Sequence, residues 1–269
     1  MKIKVKHQTI YHFNQIVPRL VQSIKLYPSK CKNQKIIDWN ITSDKGIITE
    51  SHEDSLGHKV YSIFNKNLIG KQIITSKGVI ETRDYLGVIK ELNDKVNPLC
   101  FLRQTQLTEP CTKIKNLSNK VKKNKKDLIE FCHDLNLITA QSIKYVSGST
   151  SINTSAKKAI EQGRGVCQDF AHILISLARM NNIPARYING FLFEDLNSQE
   201  NFTHAWVEIF IKDLGWVAFD PSHKKCIDEN YIRISCGLDF LDASTIKGVK
   251  TNYSGLENLK VKVSVSSCQ

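Results

Sequence analysis

The sequence predicts an α+β fold, with helices packed on an antiparallel sheet and a small β-sandwich domain ahead of them. Three observations carry this expectation. Period-two alternation with regular turn residues dominates residues 2–81, helical periodicity takes over in the middle of the chain, and short β-rich runs return after residue 185.

Lys2 to Phe13 alternates, with Ile3, Val5, His7, Thr9 and Tyr11 on one side. Further β-rich runs follow at Val21–Tyr27, Ile36–Thr42, Lys59–Phe64 and Lys71–Glu81. They are separated by Pro18, Pro28, Gly46, Gly57, Gly70 and Gly78, and short strands at this spacing suggest a β-sandwich over residues 1–95. Residues 96–269 then form the second domain, entered through a connector from Asn97 to Pro110. In Asp127–Tyr145 the residues Leu128, Phe131, Leu135, Ile138 and Ile143 share a helical face. A shorter helix fits Ser155–Gln162, ended by Gly163 and Gly165. The best-defined helix is Cys167–Met180, with Phe170, Leu174, Leu177 and Ala178 on its buried stripe. Strand patterns follow at Ala185–Phe193, His204–Ile211, Trp216–Phe219, Tyr231–Ser235 and Leu259–Val265.

Composition narrows the classes. At 269 residues, with 41% hydrophobic and 24% charged residues, the chain is too apolar for disorder and large enough for a sizeable core. The formal charge of +12 comes from lysines spread along the whole sequence, densest at Lys120 to Lys126. Solvation explains that distribution better than nucleic-acid binding, for which no motif is present. No stretch approaches the roughly 20 apolar residues of a membrane helix, and no signal-peptide core follows the N-terminus. The expectation is a cytoplasmic protein with no membrane partner. The eight cysteines (31, 100, 111, 132, 167, 226, 236 and 268) are scattered and contain no C-x-x-C pair, so reduced thiols are expected.

One constellation carries chemistry. In Gly163-Arg164-Gly165-Val166-Cys167-Gln168, two glycines lead a tight loop to the first turn of an apolar helix. Unpaired N–H groups and the positive end of the helix dipole favour a thiolate there and can stabilise an oxyanion. His204 opens one strand pattern and Asp220 closes the next. If those strands form a hairpin turning near Asp213–Gly215, the carboxylate lies beside the imidazole. It can then orient the ring, leaving the other nitrogen to act on the thiol. Each residue alone is unremarkable, and the reading rests on the coincidence of all three.

The runs at 163–172 (Gly-Arg-Gly-Val-Cys-Gln-Asp-Phe-Ala-His), 203–208 (Thr-His-Ala-Trp-Val-Glu) and 215–222 (Gly-Trp-Val-Ala-Phe-Asp-Pro-Ser) resemble the bacterial transglutaminase-like superfamily. These are papain-related cysteine enzymes, some described as cysteine proteases. Residues 183–191 resemble the strand that follows the family's nucleophile helix. The N-terminal stretch, with Pro18-Arg19-Leu20 and Glu53 to Gly57, resembles the β-domain of one branch, and Tyr231 to Val265 resembles its closing strands. The resemblance implies a papain-like transglutaminase core with Cys167 as nucleophile, His204 as general base and acid, and Asp220 as orienting carboxylate. It also points to Gln162, five residues before Cys167, as an oxyanion donor. Trp206 is expected to wall the site.

Asp169 and His172 share the helix of Cys167 but not its face, so supporting or packing roles are expected. His223, Cys226 and Cys236 are too irregularly spaced for a tetrahedral metal set. No metal or other cofactor is expected. The function expected is acyl transfer on amide or peptide bonds through a thioester, hydrolytic (protease or amidase) rather than cross-linking. A transglutaminase proper using an amine acceptor, and a non-catalytic peptide-binding module, are the alternatives. The expected partner is a protein or peptide substrate, and oligomeric state is not legible.

Overall fold

Among the described residues of this computed structural model, 1–121, 127–194 and 203–267, fourteen strands form two large sheets and one two-stranded sheet, accompanied by four α-helices. The lysines at 122, 123, 125 and 126 and Cys268 lie outside them. The first strands are β1 (Lys2–Ile24), β2 (Gln34–Ser43), β3 (Ile47–Ile48), β4 (His52–Glu53) and β5 (Lys59–Thr82). A 3-10 helix at Pro98–Leu102 leads to α1 (Thr112–Lys120), α2 (Leu128–Ser142), β6 (Lys144–Tyr145), α3 (Ala156–Gln162), β7 (Arg164–Gly165) and α4 (Cys167–Met180). Then come β8 (Ala185–Leu192), β9 (Thr203–Ile211), β10 (Gly215–Asp220), β11 (Lys225–Cys226), β12 (Tyr231–Gly237), β13 (Ile246–Thr251) and β14 (Glu257–Ser267).

The strands expected at Lys2–Phe13 and Val21–Tyr27 are one strand, β1, and those at Lys59–Phe64 and Lys71–Glu81 are likewise one, β5. The turn residues between them bend the strands without ending them. The β1–β5 register slips between Phe13 and Val17, beside Pro18 and opposite Leu68–Gly70. Proline is tolerated at such an irregularity because no ladder hydrogen bond is demanded of it. On one side of the bend β1 pairs with β14 and β5 with β2; on the other, β1 pairs with β13 and β5 with β3. The two halves share one apolar core, including Ile3, Val5, Phe13, Leu20, Ile24 and Ile63. The sandwich is therefore built from a single bent sheet, and its outer strands β13 and β14 come from residues 246–267. The 96–269 segment thus lends two strands to the first sheet, a pairing that local pattern does not reveal.

The second sheet has the order β11-β10-β9-β8-β12, every neighbouring pair antiparallel. Helix α4 packs on β8 and β9 and is buried almost all round, from Asp169 to Arg179. Arg179 is buried because its guanidinium donates to the carbonyls of Phe101, Ala185 and Leu238 and to Thr108 Oγ1. Helix α1 lies beyond the expected elements: it is short and polar, and only Ile114 of it is fully buried. Helix α2 stops at Ser142, and Ile143 turns extended to start β6, which shortens the helix expected through Tyr145.

A buried ionic cluster ties the two sheets together. Glu208 on β9 accepts from Arg186 Nε on β8 at 2.6 Å and from Arg233 Nε on β12 at 2.7 Å. Arg186 also pairs with Asp94, and Trp216 covers its guanidinium at 3.8 Å from the ring centroid. Arg233 Nη1 donates to Ser29 Oγ at 2.6 Å, and Gln34 of β2 exchanges two hydrogen bonds with the Arg233 backbone. Burial alone would raise the Glu208 pKa, but the two guanidinium groups hold it below its ordinary value. Glu208→Ala should leave both arginines without their central counter-ion and destabilise the fold by about 3–5 kcal/mol. Denaturant unfolding checks this, and a loss of well under 1 kcal/mol would contradict the role of the cluster.

Candidate active site

The site begins with the loop that delivers Cys167. Helix α3 ends at Gln162 with Gly163 in the left-handed region, and Arg164–Gly165 pairs in parallel with Lys144–Tyr145. At Gly165 a Cβ would sit 2.7 Å from the Asp169 Cβ, so only glycine lets the loop lie this close to the first turn of α4. Asp169 then pins the loop: its Oδ2 accepts from the Val166 N–H at 2.8 Å and from Thr150 Oγ1 at 2.6 Å. Val166 is extended, and Cys167 is the first helical residue, half-buried. Its N–H and that of Gln168 precede the first intrahelical hydrogen bond and stand at the positive end of the dipole.

His204 and Asp220 are brought together by the hairpin of β9 and β10. Gly215 pairs with Ile211 and Phe219 with Val207, which places the end of β10 beside the start of β9. His204 Nε2 lies 2.6 Å from Asp220 Oδ2, which leaves Nδ1 for the Cys167 side chain that lines the same cavity. Asp220 is fully buried and collects six donors. Oδ2 takes His204, His223 Nδ1 at 2.7 Å and Tyr231 Oη at 2.9 Å. Oδ1 takes the Ser222 N–H at 2.9 Å, Ser222 Oγ at 2.6 Å and the His223 N–H at 3.2 Å. Burial by itself would raise the Asp220 pKa, yet His204 and His223 hold the carboxyl well below the usual carboxylate range. Burial likewise pulls His204 down, but Asp220 and Cys167 outweigh it and push the imidazole up to about 10.

Cys167 and His204 open on a cavity of about 230 Å³, walled by Tyr145, Tyr187, Asn189 and Phe240 among others. Two residues expected at the site stand elsewhere. Gln162 is exposed at the end of α3 and does not line the cavity, because the chain turns through residues 163–166 before reaching Cys167. Trp206 does not line it either. Fully buried, it stacks on the His204 ring at 6.2 Å and meets Tyr231 edge-on at 5.4 Å, so it backs the site through the imidazole. His172 supports a wall: fully buried, it accepts from the Phe240 N–H at 3.2 Å and lies 5.3 Å from the Tyr187 ring. Burial lowers its pKa to about 4, which keeps it a neutral acceptor.

His223, Cys226 and Cys236 go to different places. Cys236 is next to His58, Cys226 lies against Gly87, and His223 joins Asp220. Among the described residues, His204, Asp220 and His223 put three possible metal-ligand atoms within 4.8 Å of one another. Hydrogen bonding to Asp220 Oδ2 already accounts for that closeness. His223 and Tyr231 were missed as neighbours of the site. The Asp-Pro-Ser-His turn gave some signal for His223, whereas Tyr231 arrives from β12, remote in sequence. His223 continues outward to Glu194 Oε1 at 3.2 Å.

Residues 115–221 match the transglutaminase-like superfamily, and residues 3–81 match the bacterial transglutaminase-like N-terminal region. An uncharacterized protein of Mycobacterium leprae is 24% identical over 276 residues, covering 94% of each chain. An uncharacterized protein of Mycobacterium tuberculosis is 31% identical over 151 residues, which span 52% of this chain and 48% of that protein. The crystal structure of "a Putative Cysteine Protease" from Cytophaga hutchinsonii superposes with a TM-score of 0.77 at 22% identity, covering 100% of this chain and 91% of that one. That likeness establishes the shared fold. No helix among the described residues is long and apolar enough to cross a membrane.

The raised His204 pKa has a sign that can be checked. A group whose pKa rises on folding stabilises the fold fully below its unfolded value, here 6.5, and that contribution is lost as pH climbs towards about 10. Asp220→Asn should therefore bring the His204 titration down towards 6.5, read by NMR of the imidazole nitrogens. An unchanged midpoint in this variant would contradict the assignment of Asp220 as the group that holds the proton on His204.

Proposed function

The chain joins a transglutaminase-like core to a bacterial transglutaminase-like N-terminal region, and on that premise we propose a cysteine-dependent acyl transfer at amide or peptide bonds. The observation that carries the proposal is the 2.6 Å His204–Asp220 contact beside a cysteine that opens a helix on a cavity. In this reading Cys167 is the nucleophile, His204 the base and acid, and Asp220 the carboxylate that orients the ring.

Cys167 Sγ attacks the carbonyl carbon, and the oxyanion forms against the first-turn N–H groups of α4. The C–N bond breaks as His204 passes its proton to the departing amine, leaving a thioester on Cys167. His204 then takes a proton from water, the oxygen adds to the thioester carbon, and the acid leaves as the thiol is restored. Water is favoured over a lysine-type amine as acceptor. Among the described residues, no carboxylate lines the cavity to receive an ammonium group. The expected substrate is accordingly a protein or peptide, and the activity that of a protease or amidase.

Iodoacetamide near neutral pH should alkylate Cys167 faster than the other cysteines, as mapped by peptide mass. Equal rates across the cysteines would contradict an activated nucleophile. Cys167→Ala and His204→Ala should each lower amide hydrolysis by about 1,000-fold or more. Hydrolysis retained in either variant would sink the mechanism. Adding a primary amine during turnover separates the acceptors: a dominant amide product in place of the acid would reassign the enzyme to cross-linking.

A further inference from the structure

Asn189 stands in the middle of β8, facing Ala205 on one neighbouring strand and Ser235 on the other. Its side chain lines the Cys167 cavity together with that of Tyr187, two residues earlier on the same face of the strand. The residue is 8% exposed, and among the described residues its carboxamide has no hydrogen-bond partner. Its polar atoms are not among those walled in by protein, so they remain open to the cavity. An amide withdrawn this far from water without a partner is unfavourable, and a ligand that pairs with it recovers the loss.

The rest of the lining says which ligand. Among the described residues no Lys, Arg, Asp or Glu side chain lines the cavity, although the whole chain carries a net +12. Tyr145, Tyr187 and Phe240 supply aromatic walls, and Ala205 and Val166 are apolar. A substrate carboxylate would meet the Asn189 carbonyl oxygen, and the cation that lines the cavity among the described residues, the His204 imidazolium, is already paired with Asp220. A substrate ammonium would find no carboxylate, and a plain alkyl group would leave the Asn189 amide unpaired.

We infer that this cavity is the acyl-donor subsite for an uncharged group, and that Asn189 reads an amide of the substrate. Nδ2 donates to that amide's carbonyl, and Oδ1 accepts from its N–H. The inference rests on the acyl chemistry proposed above for Cys167. The amide can belong to the peptide backbone next to the acyl carbon or to a side-chain carboxamide, and the two are separable by experiment.

The test uses p-nitrophenyl esters that acylate Cys167, with the nitrophenolate burst giving the acylation rate. The N-acetylglycine ester presents a backbone-type amide, the glutaramic acid ester a side-chain carboxamide, the hydrogen glutarate ester a carboxylate of the same length, and the pentanoate ester an alkyl chain. At least one amide-bearing ester should acylate about 10-fold faster than both the carboxylate and the alkyl ester, and which one identifies the source of the amide. In Asn189→Leu, the ratio of amide to alkyl ester should fall to within about 2-fold of unity. Equal rates for all four esters in the unmodified protein, which needs no variant, would overturn the inference. So would a ratio that persists in Asn189→Leu. If no ester acylates Cys167, the proposed function itself fails.

Discussion

A carboxylate with no exposure to water must find its hydrogen bonds inside the protein, and Asp220 finds six. That demand organises the site. The turn after β10 folds back so that Ser222 and His223 can donate to Oδ1, while Tyr231 reaches Oδ2 from β12. His204 meets the same oxygen in a fixed orientation, with the ring backed by Trp206. Burying an unpaired carboxylate would cost several kcal/mol, so the ring cannot swing away cheaply. The proton on His204 follows from the same constraint, since the charge of Asp220 offsets the desolvation of the imidazole.

Another buried carboxylate, Glu208, lies four residues along β9 from His204 and on the same side of the strand. Both carboxylates draw on β12: Tyr231 donates to Asp220, and Arg233, two residues on, donates to Glu208. These side chains reach across β8, where Gly190 stands opposite His204. A Cβ at Gly190 would fall 2.4 Å from the Trp206 ring, so the glycine makes room for this packing. Arg233 also binds Ser29 and Gln34, which couples the bent N-terminal sheet to the strand that serves the site. The N-terminal region is thus part of the support of the site as well as a neighbour to it.

Much of the geometry near Cys167 was legible because it is local. The helix Cys167–Met180 has the bounds its periodicity implied, and the hairpin of β9 and β10 turns where Asp213–Gly215 suggested. His204 and Asp220 were adjacent as soon as that hairpin was drawn. Illegible features share a different cause. Tyr231 and Arg233 act at sites made by residues 11 and 25 positions away, and β14 pairs with a strand at the other end of the chain. Gln162 looked close to Cys167 in number, but a left-handed turn at Gly163 sends it to the surface. Pro18 and Gly70 read as strand ends, and the structure uses them as the bend in two long strands.

The proposed chemistry turns on one bond, a thioester to Cys167 Sγ formed with the help of an imidazole held by Asp220. Brief mixing with an activated acyl donor, acid quenching and peptide mapping by mass tests it most directly. One acyl group is expected on the peptide that carries Cys167, released by neutral hydroxylamine as a thioester must be, and absent from His204→Ala treated alike. An acyl group on any other residue, or an equal yield in His204→Ala, would contradict it.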